Sequence, residues 1–442
     1  MNYKIINHND HYMELLEKVQ YSVNENFWEI NAQVNTDDTE TKPLVLAYYK
    51  NYLEINNIEI EGIMQEELIV KLYNDTHKYS VLTQALEDDE VEGIHINAWN
   101  CVIIQFRNGQ FLHANSFENP QHAIDIIRRL IQEKGKVLDN STPIVETSIS
   151  SNIRITTVKS PIVDEHIGVS CYIRKLSKKT FTADQYIQGG FADSKEIDML
   201  KIFMKRGVSM LIVGKVNSGK TTFLSYLLST LSDNTKIVTI ENSAREMDLV
   251  KIQNGETVNN VVHMITKESS NAYENIDQND LLVTSLRLNP DYMSVAEMRD
   301  SEAYSAVEAS RSGHPVISTT HAGSPREAHK RIADLSRKGN NTDYPTALIQ
   351  AQEAFPIVVF IHMLEDNKRR IMGISECHVD DDNKPHYNPL WKFDIEDNEI
   401  NNNTLNIRGN HNRVGKCSEF LIEKMKMYGI TKTEIQELGG GK

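Results

Sequence analysis

At 442 residues, 40% of them hydrophobic and 25% charged, the chain is too long for one ordinary core and too apolar for wholesale disorder, so two or three globular domains are expected. The formal charge of −15 repels a phosphate backbone on average, which argues against specific nucleic-acid binding. Cys101, Cys171, Cys377 and Cys417 form no C-x-x-C pair, the opening residues lack the apolar run of a secretory signal, and no segment has the roughly 20 apolar residues of a membrane span; a soluble, cytoplasmic protein without a zinc site or disulfide framework is expected.

In chain order, residues 1–75 read as a helical, acidic accessory region, with Leu44, Val45, Ala47, Tyr48 and Tyr52 on one apolar face and a further helix starting at Glu66. Residues 76–176 read as an α+β domain. Strands are expected at 92–97 and at 101–112, the latter pair turning at Asn108-Gly109, then at 148–149, 152–156 and 169–173, with a helix carrying Ile124, Ile127, Leu130 and Ile131 between them. Residues 177–195, with Ser177-Lys178-Lys179 and Gly189-Gly190, have the composition of a hinge linker. From 196 to 376 short apolar runs at 209–213, 236–240, 292–295 and 315–319 alternate with helical patterns, as buried parallel strands do. Residues 377–442 look less regular, with an Asp-rich run, an Asn401–Asn403 stretch and one helix from Ser418 to Met427.

The strongest chemical signal is Gly214-Lys215-Val216-Asn217-Ser218-Gly219-Lys220-Thr221, which satisfies G-x-x-x-x-G-K-[ST] between an apolar strand and a helical run beginning Thr222. Glycines let the backbone curl so that N–H groups converge on a phosphate. Lys220 adds a cation at the β/γ oxygens, and Thr221 offers a hydroxyl to Mg²⁺. Glu297, after the strand Tyr292-Met293-Ser294-Val295, is the candidate water-activating base, and Glu241, ending another strand, could order Mg²⁺ through water or polarise the nucleophile. Either glutamate taken singly is more often a solvated strand end; the phosphate loop is what raises both. His321 follows a third strand and could sense the γ-phosphate or hold Glu297, whereas His314 beside Pro315 divides evenly between a role and none. Arg154, Arg174, Arg287 and Arg299 are candidates for neutralising a transferring phosphoryl group, each weighed against an ordinary surface ion pair.

With these residues in place, the chain resembles the secretion and traffic ATPases of type II and type IV secretion, in the branch of tight-adherence pilus and conjugative type IV secretion ATPases. GKVNSGKT stands as Walker A, TIENSARE in the place of the Asp box, PDYMSVAEMRD as the Walker B region and GHPVISTTHAGSPREA as the His box. DDEVEGIHIN, NIRITTV and CYIRKLSK also fall in family order. The resemblance implies an α/β fold: a RecA-like P-loop NTPase domain, a preceding smaller α+β domain and a helical N-terminal extension, assembled as a homo-hexameric ring. It further implies ATP and Mg²⁺ as cofactors, Glu297 as catalytic glutamate, His321 as His-box sensor, Glu241 in the Asp box, and Arg154 and Arg174 as N-domain arginines that reach the nucleotide. Implied partners are inner-membrane platform or coupling proteins, which would hold the chain peripherally at the cytoplasmic face of the plasma membrane. Two positions depart from the family: the Asp box ends Glu241-Asn242 instead of Glu-Asp, and Ala296 stands where the Walker B pattern has Gly. The tetra-Cys module of type II members is absent. A nucleotide-gated scaffold with little hydrolysis is the alternative, distinguished by turnover per bound nucleotide; a nucleic-acid motor is the third reading, distinguished by salt-sensitive stimulation by single-stranded DNA.

Overall fold

The computed structural model describes residues 10–26 and 38–439, apart from 61, 108, 151, 177–179, 243–244, 268–271 and 402–403. Ser177-Lys178-Lys179 of the expected hinge, Asn108 of the expected turn, and Asn402 and Asn403 lie outside the described residues. The chain divides into two compact units, Met1–Ser177 and Lys178–Lys442.

In the first unit, the helices Asp10–Asn26, Asp38–Ile55 and Gln65–His77 share a core of Tyr12, Leu16, Val19, Tyr49, Leu53 and Leu72. The buried face of Asp38–Ile55 differs from the expected one: Val45, Tyr49 and Leu53, at every fourth position, point inward, and Leu44 and Ala47 are exposed. Tyr48 lies half-buried at the boundary, where its hydroxyl meets Ser22 Oγ at 2.6 Å. An amphipathic ring at the margin and a buried ring score alike in sequence, so packing decides between them.

The rest of this unit is a six-stranded antiparallel sheet of β1 (Val91–Ala98), β2 (Cys101–Phe106), β3 (Phe111–His113), β4 (Ile144–Ser150), β5 (Ile153–Lys159) and β6 (Val169–Lys175), in the order β3-β2-β1-β6-β5-β4. The helix Pro120–Gln132 packs on it through Ile124, Ile127, Leu130 and Ile131. Its start is fixed by Asn119, whose side chain accepts from His122 N–H, and by Pro in the first turn, where a missing N–H costs nothing.

The second unit is built on a nine-stranded sheet. Its strands are β7 (Met210–Val213), β8 (Ile237–Glu241), β11 (Val261–Ile265), β12 (Tyr292–Val295), β13 (Val316–Thr320), β14 (Ile357–Met363), β15 (Arg369–Val379), β16 (Pro385–Asn401) and β17 (Thr404–Arg413). The short pair β9 (Ile252–Gln253) and β10 (Glu256–Thr257) stands apart. The order is β11-β8-β12-β13-β7-β14-β15-β16-β17, parallel from β11 to β14 and antiparallel beyond. Every residue of β7, β8, β12 and β13 is buried, because helices cover both faces and the apolar runs have no wet side.

Two stretches differ from their sequence reading. Within the expected linker, Ala183–Gln188 is a helix with a Thr182/Gln185 capping box, and Tyr186 and Phe191 pack with Phe223 and Tyr226. Gly, Ser and Lys dominate the local composition, but the two aromatic rings are what order it. In the expected irregular tail, β16 spans 17 residues and pairs with β15 and β17. Its stretch 395–398 is exposed throughout, and Lys392, Asp394 and Glu399 interrupt its apolar residues, so no continuous apolar run announces it.

Candidate active site

Parallel pairing of β8, β12, β13 and β7 puts their carboxyl ends on one edge of the sheet. Glu241 ends β8, and Glu297, His321 and Gly214 follow β12, β13 and β7, so four stretches far apart in sequence arrive together by topology. Arg287 arrives elsewhere. It is the exposed C-cap of the helix Gln278–Leu286 and precedes β12, whose amino edge is marked by the bonds of Asp291 and Tyr292 N–H to Lys236 O. Four strand residues, about 13 Å at 3.3 Å each, thus separate it from the edge that carries Glu297. Arg287 and Arg299 thus stand at opposite ends of the Glu297 strand, and of the two Arg299 is the one that contacts Glu297.

The loop after β7 curls as its sequence requires. Asn217 and Gly219 have φ of 62° and 89°, the left-handed region that Asn and Gly tolerate best. A side chain at Gly214 would place Cβ 2.1 Å from Ile361 O and 2.8 Å from Ser218 Oγ, so this glycine is required by the close approach of β14. Lys215, Val216 and Asn217 are exposed, and Thr221 and Thr222 lie half-buried in the first turn of the helix Lys220–Ser229. Ser218 Oγ is buried without a hydrogen-bond partner. Lys220 bends back so that Nζ donates to Gly214 O at 3.1 Å and Lys215 O at 2.9 Å.

Above this loop the charged side chains form one cluster. His321 Nδ1 lies 3.3 Å from Lys220 Nζ and 3.1 Å from Gly214 O. Its Nε2 lies 2.8 Å from Glu297 Oε1, an ion-pair distance, and Arg299 Nη2 donates to Glu297 Oε2 at 2.7 Å. Burial pushes the Glu297 carboxyl up, but the hydrogen bond and charge of Arg299, with the charges of His321 and Lys220, outweigh it and hold the group below its ordinary value. Glu297 is therefore an ionised carboxylate whose partners are all cations or N–H donors.

Glu241 occupies a different environment on the neighbouring strand. Its side chain is fully buried, and Oε2 accepts from the backbone N–H of Glu246, at 2.5 Å, and of Met247, at 3.0 Å. Oε1 lies 4.0 Å from His263 Nδ1. His263 is pushed down to about 4 by burial and by the charge of Arg245, so this ring is neutral. The adjacent Asn242 takes the hydroxyl of Thr266 on its Oδ1 at 2.7 Å. Arg154 and Arg174 belong to the first unit, directly opposite one another on β5 and β6 and half-buried.

Two residues of this edge escaped sequence reasoning. Glu302, buried at the start of the helix Glu302–Arg311, accepts from the backbone N–H of Arg299 and of Asp300, fixing the turn that presents Arg299. An acid in a first helical turn was the available signal. Arg369 donates from Nε to Asn217 O at 2.9 Å across 152 positions, and nothing local in Lys368-Arg369-Arg370 marks it.

A parallel sheet with the phosphate-loop strand and the Glu297 strand separated by β13, and a Lys, a Glu and a His gathered over the loop, defines a RecA-like P-loop NTPase. Comparison with known proteins agrees. The family model described as "Type II/IV secretion system protein" matches residues 69–379. An uncharacterized protein of Methanocaldococcus jannaschii is 26% identical over 322 residues, 73% of this chain and 56% of its own length. The type IV secretion system protein VirB11 of Bartonella quintana is 28% identical over 239 residues, 46% of this chain and 64% of its own length. The chain thus spans less than two thirds of either relative. Among solved structures, the ATPase DotB of Legionella pneumophila matches with a TM-score of 0.48 at 19% identity, covering 69% of this chain and 80% of that one. The VirB11 ATPase of Brucella suis in complex with sulphate matches with 0.36 at 21%, covering 67% and 92%. The chain belongs to the type II/IV secretion system protein family.

Proposed function

We propose that this chain is an ATP-hydrolysing motor of a secretion, conjugation or tight-adherence-type pilus machine. The observation that carries the reading is the convergence of Lys220, His321, Glu297 and Arg299 over the Gly214–Thr221 loop. The residues present suit a nucleotide: Ser218 Oγ is a buried hydroxyl with no partner, Gly214 keeps the loop clear of side chain, and Lys220 reaches back over the cradle. Backbone N–H groups of the loop and Lys220 would bind the phosphates, and Thr221 would offer its hydroxyl to Mg²⁺. Bound Mg²⁺ would supply charge neutralisation at the phosphates.

Glu297 then takes the proton of the attacking water as that oxygen bonds to the γ-phosphorus and the bond to the β-phosphate oxygen breaks. His321 bridges Glu297 to Lys220 and so ties the base to the phosphate cradle. Glu241 supports this edge by bonding the 246–247 backbone, a positioning role in place of the metal-water role its family position suggests. Arg299 orients Glu297.

On the family resemblance we further propose a homo-hexamer, inner-membrane platform or coupling proteins as partners, a peripheral site at the cytoplasmic face of the plasma membrane, and nucleotide contacts from Arg154 and Arg174. The domain boundaries at 75, 176, 195 and 376 are proposed on the same footing. Among the described residues no helix is long and apolar enough to cross a membrane.

Purified protein with Mg-ATP is the test. Glu297→Gln is expected to retain nucleotide binding and lose turnover by about 100-fold or more, the usual contribution of a general base. Unchanged turnover removes Glu297 from the role. A nucleotide-gated scaffold is the second reading, favoured by Asn242, an amide engaged with Thr266 where the family has a second carboxylate; wild-type protein that binds ATP stoichiometrically yet barely turns it over would establish it.

A further inference from the structure

Resting on the reading of Gly214–Thr221 as a phosphate cradle, we propose that Arg369 is a positioning residue of that cradle, holding the Asn217–Ser218 peptide so that its N–H faces a bound phosphate.

Arg369 opens β15, immediately after the turn from β14. Nε donates to Asn217 O at 2.9 Å, and the side-chain Cδ lies 3.2 Å from where a Cβ on Gly219 would stand. One side chain therefore bonds Asn217 and fills the space beside Gly219, two positive-φ residues of the loop. A trans peptide is planar with C=O and N–H on opposite sides, so fixing the Asn217 carbonyl outward fixes the Ser218 N–H inward. That N–H donates to Lys215 O at 3.4 Å, a long bond that an anion seated in the loop would displace.

Arg369 is itself anchored. The next residue, Arg370, pairs with buried Asp366 through Nη1 at 2.9 Å and Nη2 at 2.6 Å, and its Nη2 also donates to Ile407 O at 3.0 Å on β17. The turn Leu364–Lys368 is closed by Leu364 N–H on Lys368 O. The guanidinium thus reaches the loop from a rigid hairpin.

The first measurement is hydrogen exchange of wild-type and Arg369→Ala proteins without nucleotide. Faster exchange confined to the peptide covering 214–220 is expected, and equal rates there overturn the proposal. The second is ADP affinity and steady-state ATPase. Arg369→Ala is expected to raise the ADP Kd and the KM for ATP about tenfold with kcat within about twofold, the pattern of lost ground-state binding. Arg369→Lys, keeping the charge without the Nε donor, should recover less than half of the loss. Full recovery by Lys, or a fall in kcat with unchanged KM, contradicts a positioning role. Lys220→Ala separates the two levels: if it leaves ADP binding intact the cradle reading itself fails, whereas if it abolishes binding and Arg369→Ala does not weaken it, only the role of Arg369 fails.

Discussion

Glu241 and Glu297 sit at the same edge of the same sheet, on neighbouring strands, and differ in what they touch. Glu241 is sealed from solvent and bonds the backbone of the loop that follows it, whereas Glu297 lies partly open among His321, Lys220 and Arg299. A carboxylate that satisfies backbone N–H groups holds shape; one that lies partly open among cationic side chains beside a phosphate loop can exchange a proton. Equivalent placement in the topology therefore does not give equivalent chemistry, and the difference comes from side chains supplied by other strands and loops.

This contrast can be broken experimentally. The largest effect is expected at the cradle both glutamates face: Gly214→Ala places a methyl group 2.1 Å from the backbone oxygen of Ile361, and should lower stability by about 3 kcal/mol or abolish nucleotide binding. Denaturant unfolding and ADP binding would show it; wild-type values would mean that β14 yields easily. Next, Glu241→Gln should cost about 1.5–3 kcal/mol, because two backbone bonds to a buried carboxylate weaken, whereas Glu297→Gln, whose main partner Arg299 is solvent-screened, should cost less. Equal losses for the two variants would erase the distinction.

Acid should then act on the Glu241 side. His263 has a folded value of about 4 against an ordinary value near 6.5. The unfolded chain binds this proton more readily, so stability falls as pH drops from about 6.5 towards 4 and levels off below, with a slope of up to about 1.4 kcal/mol per pH unit. His263→Gln should flatten that window, as followed by thermal melts across pH. The smallest effect is expected at Arg299. Arg299→Ala removes the bond and charge that hold Glu297 down and leaves burial, so the carboxyl rises and the acid limb of the ATPase profile moves to higher pH. The move should be small, since Arg299 is 60% exposed and solvent screens it. Glu297's own contribution to stability, present above the unfolded carboxylate range and lost as pH falls through its folded value, should shrink in the same variant.

Much of this arrangement was legible along the chain, for a definite reason. The runs at 209–213, 236–240, 292–295 and 315–319 are short and largely apolar, so they announce buried parallel strands, and in such a sheet the residues at the end of each strand arrive at one edge. Lys220, Glu297 and His321 could be named from that rule and from the phosphate-loop pattern. Periodicity also placed the helix Pro120–Gln132, but it misjudged the buried face of Asp38–Ile55, because three tyrosines near one boundary look equally apolar.

Patterns a few residues long thus mark four strands of the nine-stranded sheet, the loop between β7 and its helix, and the edge at which Glu297 and His321 emerge. Only the tertiary structure decided that Arg287 stands at the opposite edge from Arg299, that Glu241 bonds backbone, that β15 to β17 lengthen the sheet, and that Arg369 reaches Asn217. The partners lie from five positions away, Glu246 for Glu241, to 152, Asn217 for Arg369. Such pairings depend on strand direction and close packing, which local composition does not encode.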